Sequence, residues 1–522
     1  MLRVASFSSA DQLQQNADGY INLFETIAKQ NNFDLRNDIF DPGARFAKHA
    51  FGDQTWNREI VVSQAIRYFN QAHSARSGIL EDIGICATLA SRGCGKSHIV
   101  DVLCRLRDHP ELFPDLAKVL VPVCISFNGP QGYKPGIFPD SESNVIARLV
   151  HRGFFDSNDV TWTRFCHVTR HVKWNDFELD VLMEVMITFF KKIQVQKTCT
   201  RAKASEPVVL IAVDEVSVCG KQTAPAILDI LKTLITNNPS QCRLLVTTFD
   251  DLYLVDDRDE NTGSNRPIDW LVLTPLLEEH REEFKKTQLR KAQLKNAQQD
   301  YFVSLSGGHP RSLALLKAEF DYTHSYTFAD ILKGWQKRFS SFNSKVPEDN
   351  VVKDLLARTI LHQKIRVEDC IHQIPVKELI RQTFILNSMD PKVSFVPQLS
   401  PLFLRFWSDP DNYAERTPLK MQVKRLLDLG EDLDWVKFEE FNLIFEDLRC
   451  WAWHELNQSS KKPCVTQTIG SWFAGGEFLC GDETTVLNIH NPKVCGVWWC
   501  GSVVWCVVWH VYTTAFCYCG ST

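Results

Sequence analysis

"TLASRGCGKSHIV" (88–100) is the stretch on which the reading of this chain turns. The phosphate-binding pattern G-x-x-x-x-G-K-[ST] works because a glycine-rich turn aims backbone N–H groups at phosphate oxygens. Here the pattern is filled by Ala90, Ser91, Arg92, Gly93, Cys94, Gly95, Lys96 and Ser97, with Ala90 standing where the pattern has glycine. Lys96 is expected to reach the β- and γ-phosphates and the Ser97 hydroxyl to hold Mg²⁺. Gly93 and Gly95 supply the backbone freedom of the wrap, and Ala90 is small enough to replace the first glycine. The flanks fit. "IGICATLA" (83–90) reads as a short buried strand, and "SHIVDVLCRL" (97–106) as an amphipathic helix with Ile99, Val100, Leu103 and Leu106 on its apolar face. Strand, loop and helix in that order put a helix N-terminus against the anion. The expected ligand is ATP with Mg²⁺; the alternative is a chance Gly-Lys-Ser turn.

A second motif lies downstream. "EPVVLIAVDEVSV" (206–218) is an apolar run ending in Asp214 and Glu215. A strand buried on both faces reads this way, and ligands of open α/β sheets bind at the carboxyl ends of the strands. Asp214 is expected to coordinate the Mg²⁺ held by Ser97, and Glu215 to polarise the attacking water. The alternative is a strand that ends in two solvated carboxylates. "KVLVPVCISFN" (118–128), "CRLLVTTFD" (242–250) and "RPIDWLVLTPL" (266–276) read as further strands, with helical segments such as 176–195 and 222–236 between them. Thr247 and Thr248 end one strand, and Thr248 is taken as the residue that senses the γ-phosphate. In "SLSGGHPRSLALL" (304–316) Gly307 and Gly308 mark a break, and Arg311 opens a helix of a lid from which it would touch the γ-phosphate. Solvation of a helix start is the alternative for Arg311. Arg266 is a second candidate, as a sensor or as a finger reaching a neighbouring subunit. The fold class expected is α/β, a parallel sheet covered by helices on both faces, of P-loop NTPase type with AAA+/STAND-like features and a helical lid.

The chain has 522 residues, a formal net charge of −5 and 17 cysteines. Its length suggests about three domains, and its charge carries no overall basic bias toward nucleic acid. Cys86, Cys124 and Cys242 fall inside apolar strands, where a free thiol behaves as a small hydrophobe. Met1–Gln14 shows no signal peptide, so a soluble protein of cytoplasm or nucleus is expected. The organisation reads as an N-terminal helical region (1–75), the NTPase core with its lid (76–320), a helical, winged-helix-like module (321–415), a partial nuclease-like segment (416–493) and a tail (494–522). "EEHREEFKKTQLRKAQLKN" (278–296) reads as one charge-dense helix, and "WVKFEEFNLIFEDLRCWAW" (435–453) as an amphipathic one. The tail has no Asp, Glu, Lys or Arg. Three readings stay open for it: an out-of-frame end, a membrane tail anchor, and a buried pair of strands. The run is long enough to span a bilayer, but Trp lies along its middle, whereas Trp favours the interfaces.

Taken together, "ASRGCGKS", "VPVCISFN", "VVLIAVDEVS", "RPIDWLVLTPL", "SGGHPRSL", "VPQLSPLFLRFW" and "FEEFNLIFEDLR" resemble the Crinkler-type effectors of oomycetes and fungi, relatives of the retrotransposon hot spot proteins of trypanosomes. The resemblance covers about residues 50–490. It implies an NTPase module joined to a nuclease of restriction-endonuclease-like fold, and, for secreted members, action in the host nucleus. It matches Glu439 to the first-helix glutamate of that nuclease. The family's N-terminal translocation header is not found here. The metal-binding Asp and Glu/Gln-x-Lys set is also not found as expected: 475–494 offers Glu477, Asp482 and Lys493 in a different arrangement. The expected function is ATP binding and hydrolysis that drives a switch or remodelling step. The alternatives are an ATP-regulated DNA nuclease and a nucleotide-gated interaction module. The expected partners are the nucleotide, DNA or a host nuclear protein, and a second copy of the chain, with a membrane only if the tail anchors.

Overall fold

The computed structural model describes residues 10–41, 59–74, 85–90, 93–106, 119–128, 132, 136–156, 158–198, 206–220, 222–248, 268–273, 275–289, 294–322, 327–342, 347–381, 385, 394–409, 417–429 and 435–459. They divide into two compact units, the first within Met1–Thr274 and the second within Pro275–Asn387 and Lys392–Thr522. The dividing point falls inside the 76–320 segment, so the sheet and the Gly307-Gly308 region belong to different units.

The first unit is built on five parallel strands: β1 (Ile85–Leu89), β2 (Leu120–Ser126), β3 (Val208–Asp214), β4 (Cys242–Thr248) and β5 (Ile268–Trp270), in the order β2-β3-β4-β1-β5. Every residue of β1 to β4 is buried. That is why these strands read as unbroken apolar runs rather than as alternating ones. One face of the sheet packs against α2 (Glu59–Ser74) and α3 (Lys96–Cys104). The other face meets α1 (Ala10–Asn31), α4 (Ser141–Phe154), α5 (Trp162–Val168), α6 (Leu179–Thr198) and α7 (Thr223–Asn237). The described helices of the 1–75 region are therefore layers of this unit, with Phe24 and Phe69 buried on opposite sides of the sheet. With β4 set between the loop-bearing β1 and the acidic β3, the unit has a P-loop NTPase fold, a parallel sheet covered by helices on both faces.

The edge of β2 is closed in an uncommon way. An edge strand leaves a row of carbonyls without sheet partners. On β2 these accept from three buried guanidiniums in succession. Arg36 Nη2 donates to the Pro122 carbonyl (3.0 Å), Arg152 Nε to that of Cys124 (2.6 Å) and Arg148 Nη1 to that of Ser126 (2.5 Å). Arg148 and Arg152 lie one turn apart on α4, which matches the two-residue spacing of the carbonyls. Arg148 is held between Phe127 and Trp162, 4.5 and 4.4 Å from the two ring centroids. Burial lowers all three pKa values, to about 10 for Arg36 and Arg148, which keeps those two charged at neutral pH.

The second unit is mainly helical: α8 (Glu278–Gln288), α9 (Asn296–Leu305), α10 (Pro310–Tyr322), α11 (Phe328–Phe342), α12 (Asp349–Ile360), α13 (Val376–Arg381), α14 (Pro401–Ser408), α15 (Pro418–Leu429) and α16 (Trp435–Ser459). The single helix expected over 278–296 is two. α8 closes at Leu289, and α9 starts after Lys295, whose backbone N–H donates to Gln298 Oε1 (3.2 Å), so the charge pattern hid a boundary. Gly307 and Gly308 have positive φ, and a Cβ on Gly308 would sit 2.5 Å from the Leu276 carbonyl, so the break requires glycine. A short antiparallel pair, β6 (Cys370–Ile371) and β7 (Ile374–Pro375), precedes α13, and isolated antiparallel bridges join Ile365 to Phe395 and Ile385 to Leu399. Lys420 bonds Asp349 (2.8 Å), which also accepts from Trp407 Nε1 (2.8 Å), tying α12, α14 and α15 together. The helix expected over 435–453 runs on as α16 to Ser459. Among the described residues no helix is long and apolar enough to cross a membrane. The tail, and Glu477, Asp482 and Lys493 before it, lie outside the described residues.

Candidate nucleotide-binding site

Side chains alternate faces along a strand. On the face that carries α3, the last such positions of four adjacent strands are Ser126, Asp214, Thr247 and Thr88. The register places Ser126 beside Asp214 and Thr88 beside Thr247, and Thr247 Oγ1 donates to Asp214 Oδ1 at 3.1 Å. A row of hydroxyls around one carboxylate thus crosses the sheet at the carboxyl ends of its strands, where α/β sheets bind ligands.

The loop leads into this row. Gly93 and Gly95 take positive φ (88° and 98°), and Gly95 caps α3 in the left-handed region. Ala90 is fully buried and is not among the residues with positive φ, so the first position of the loop does not need glycine. Lys96 is nearly buried, and its Nζ donates to the Ala90 carbonyl at 2.9 Å, across the base of the loop. Ser97 Oγ donates to Asp214 Oδ1 at 2.9 Å. The two motifs, separated by more than a hundred residues of chain, meet in this one contact. Cys94 is buried among the α3 face residues and acts as filler. Ser91 and Arg92 lie outside the described residues.

Asp214 is 3 % exposed. Burial, then the neighbouring Glu215 charge, raise its pKa from 3.8 to about 6, against the opposing pull of Ser97, Thr247 and Lys96. A buried carboxylate next to a serine hydroxyl is a hard oxygen donor set, the kind Mg²⁺ takes when it binds through one or two protein groups and substrate phosphates. The residues present therefore fit the ion: Ser97 and Asp214 would hold it.

Glu215 has φ 54° and ψ 53°, a left-handed conformation rare for a residue with a side chain. Such strain persists only where surroundings fix it, and it gathers at functional sites. Its backbone N–H donates to Thr247 Oγ1 (2.9 Å), and its Oε2 accepts from Asn128 Nδ2 (2.6 Å). Thr247 therefore holds both acidic residues. Ser126 Oγ lies 3.4 Å from Asp214 Oδ2 and accepts from the Asn128 N–H at 3.1 Å. Asn128 and Ser126 were not anticipated from the sequence. They end an apolar strand, and their only signal is position level with Asp214.

Of the expected residues, the structure brings together Ala90, Gly93, Gly95, Lys96, Ser97, Asp214 and Glu215. It shifts the strand-end threonine: Thr247 is the one on the Asp214 face. Thr248, one residue on, falls by alternation on the opposite side with Val246, away from Asp214. Arg311 sits in the first turn of α10 in the second unit. Arg266 lies outside the described residues. Glu439 is exposed on α16, and among the described residues no group of three or more His, Cys, Asp and Glu side chains is placed to hold a metal.

No family model matches the sequence, and no curated protein matches it. Among solved structures, a Walker-type ATPase of Pyrococcus abyssi matches with a TM-score of 0.42 and 12% identity over 70% of this chain and 98% of that one. The Aeropyrum pernix ORC1 protein, solved in complex with DNA, matches with a TM-score of 0.34 and 11% identity over 63% and 76%. Cdc6p from Pyrobaculum aerophilum matches with a TM-score of 0.33 and 11% identity over 71% and 96%.

Proposed function

We propose that the first unit binds ATP with Mg²⁺ and hydrolyses its terminal phosphoanhydride. The observation that carries this is the Ser97–Asp214 hydrogen bond, which joins the glycine-rich loop to the acidic strand. Lys96 would exchange the Ala90 carbonyl for phosphate oxygens. Ser97 and Asp214 would hold the metal, which would supply neutralisation of phosphate charge. Glu215, held by Asn128 and Thr247, orients the water and takes its proton. Thr247 presents its hydroxyl to the terminal phosphate. Lys96→Ala should abolish calorimetric binding of MgATP, because it removes the only buried ammonium at the described part of the loop; unchanged affinity would overturn the assignment.

The use made of hydrolysis is proposed from the resemblance to Crinkler-type effectors: a switch or remodelling step. The antiparallel pairings around α12 and α13 support a winged-helix-like module as the surface for DNA or a protein partner. Without nucleotide-dependent binding to either, the chain would be an ATPase of another kind.

A further inference from the structure

Thr88 is the member of the polar row without a role in the reading above. It is fully buried, and among the described residues its hydroxyl has no hydrogen-bond partner. A buried hydroxyl left unpaired is unfavourable, and an apolar residue of the same shape would cost less. β1 is otherwise apolar, Ile85, Cys86, Ala87 and Leu89, so nothing in the strand itself calls for threonine. The register sets Thr88 directly beside Thr247.

The hydrogen bonds of Thr247 define what that neighbour can do. Its single proton goes to Asp214 Oδ1, and one oxygen lone pair accepts from the Glu215 N–H. To reach a terminal phosphate, Thr247 must turn that proton away from Asp214. Its oxygen then keeps one lone pair for a further donor. We propose that Thr88 is a positioning residue for hydrolysis, its hydroxyl donating to Thr247 Oγ1 when Thr247 turns its own proton to the terminal phosphate. A donor behind a hydroxyl also polarises it, so the bond Thr247 makes forward is strengthened. The proposal rests on the hydrolytic reading given above.

The test compares the full-length chain with Thr88→Val, Thr88→Ser, Thr247→Val and the double valine variant, in steady-state MgATP hydrolysis and thermal melting. Thr88→Val should lower kcat about fivefold, the scale of one hydrogen bond, with KM within about twofold of the parent and a melting temperature no lower. Thr88→Ser, which keeps the hydroxyl, should restore kcat. In the Thr247→Val background, Thr88→Val should have no further effect, because the partner is gone. The proposal is overturned if kcat of Thr88→Val equals the parent's, if serine fails to restore it, or if the two valine substitutions act additively. A parent chain that binds MgATP without turning it over overturns the hydrolytic reading, and this proposal with it; a hydrolysing parent matched by its Thr88→Val variant overturns this proposal alone.

Discussion

At the scale of single residues the site depends on two neighbours with opposite environments. Asp214 is buried and Glu215 turns outward in a left-handed conformation, with its carboxylate on Asn128. Glu215→Gln keeps shape and the Asn128 contact but removes the base. ATP should still bind, while turnover falls about 10²-fold or more, the lower end of general-base effects; single-turnover rates check this. Asp214 yields a pH dependence. Its folded pKa lies above the ordinary 3.8, at about 6, so folding takes up a proton between those values. Its stabilising contribution is complete below pH 3.8 and is lost as pH rises through about 6. Asp214→Asn should therefore raise the stability of the metal-free chain at pH 7.5 by about 3 kcal/mol relative to the parent, and flatten the loss between pH 4 and 7. A melting series over that range decides it, and a variant less stable than the parent at pH 7.5 would count against the buried charge.

At the scale of elements, the four buried strands and the loop helix were legible because apolar runs and a glycine pattern are local signals. Thr247 was not separable from Thr248: a strand's facing is set by register with its neighbours, and residues one apart look alike in one dimension. The break between α8 and α9 was hidden for a similar reason, since charged residues populate helix ends and helix surfaces equally. Arg148 and Arg152 were the least legible. Two arginines four apart on a helix ordinarily read as a solvated face, and only the sheet edge opposite gives them partners. Arg152→Met would fill the space but leave the Cys124 carbonyl without its donor. It should lower the urea midpoint by an amount equivalent to about 1–3 kcal/mol, the scale of a lost bond to a charged group. An unchanged midpoint would mean that the strand edge needs no donor there.

At the scale of the whole molecule, loop, acidic strand and Asn128 all lie in the first unit, and Arg311 in the second. Residues 1–274 expressed alone should bind MgATP in a calorimetric titration with affinity near that of the whole chain, since Lys96, Ser97, Asp214 and Thr247 are all retained. The arginines along β2 bear on the molecule in another way. A sheet with an open border can recruit an extended segment from a neighbour and grow into fibrils. Here one border already has its acceptors occupied by guanidiniums, and the other ends in a strand of three residues. Among the described residues, that border offers a neighbouring chain no free carbonyl at Pro122, Cys124 or Ser126, so cross-β polymerisation has no template at those positions.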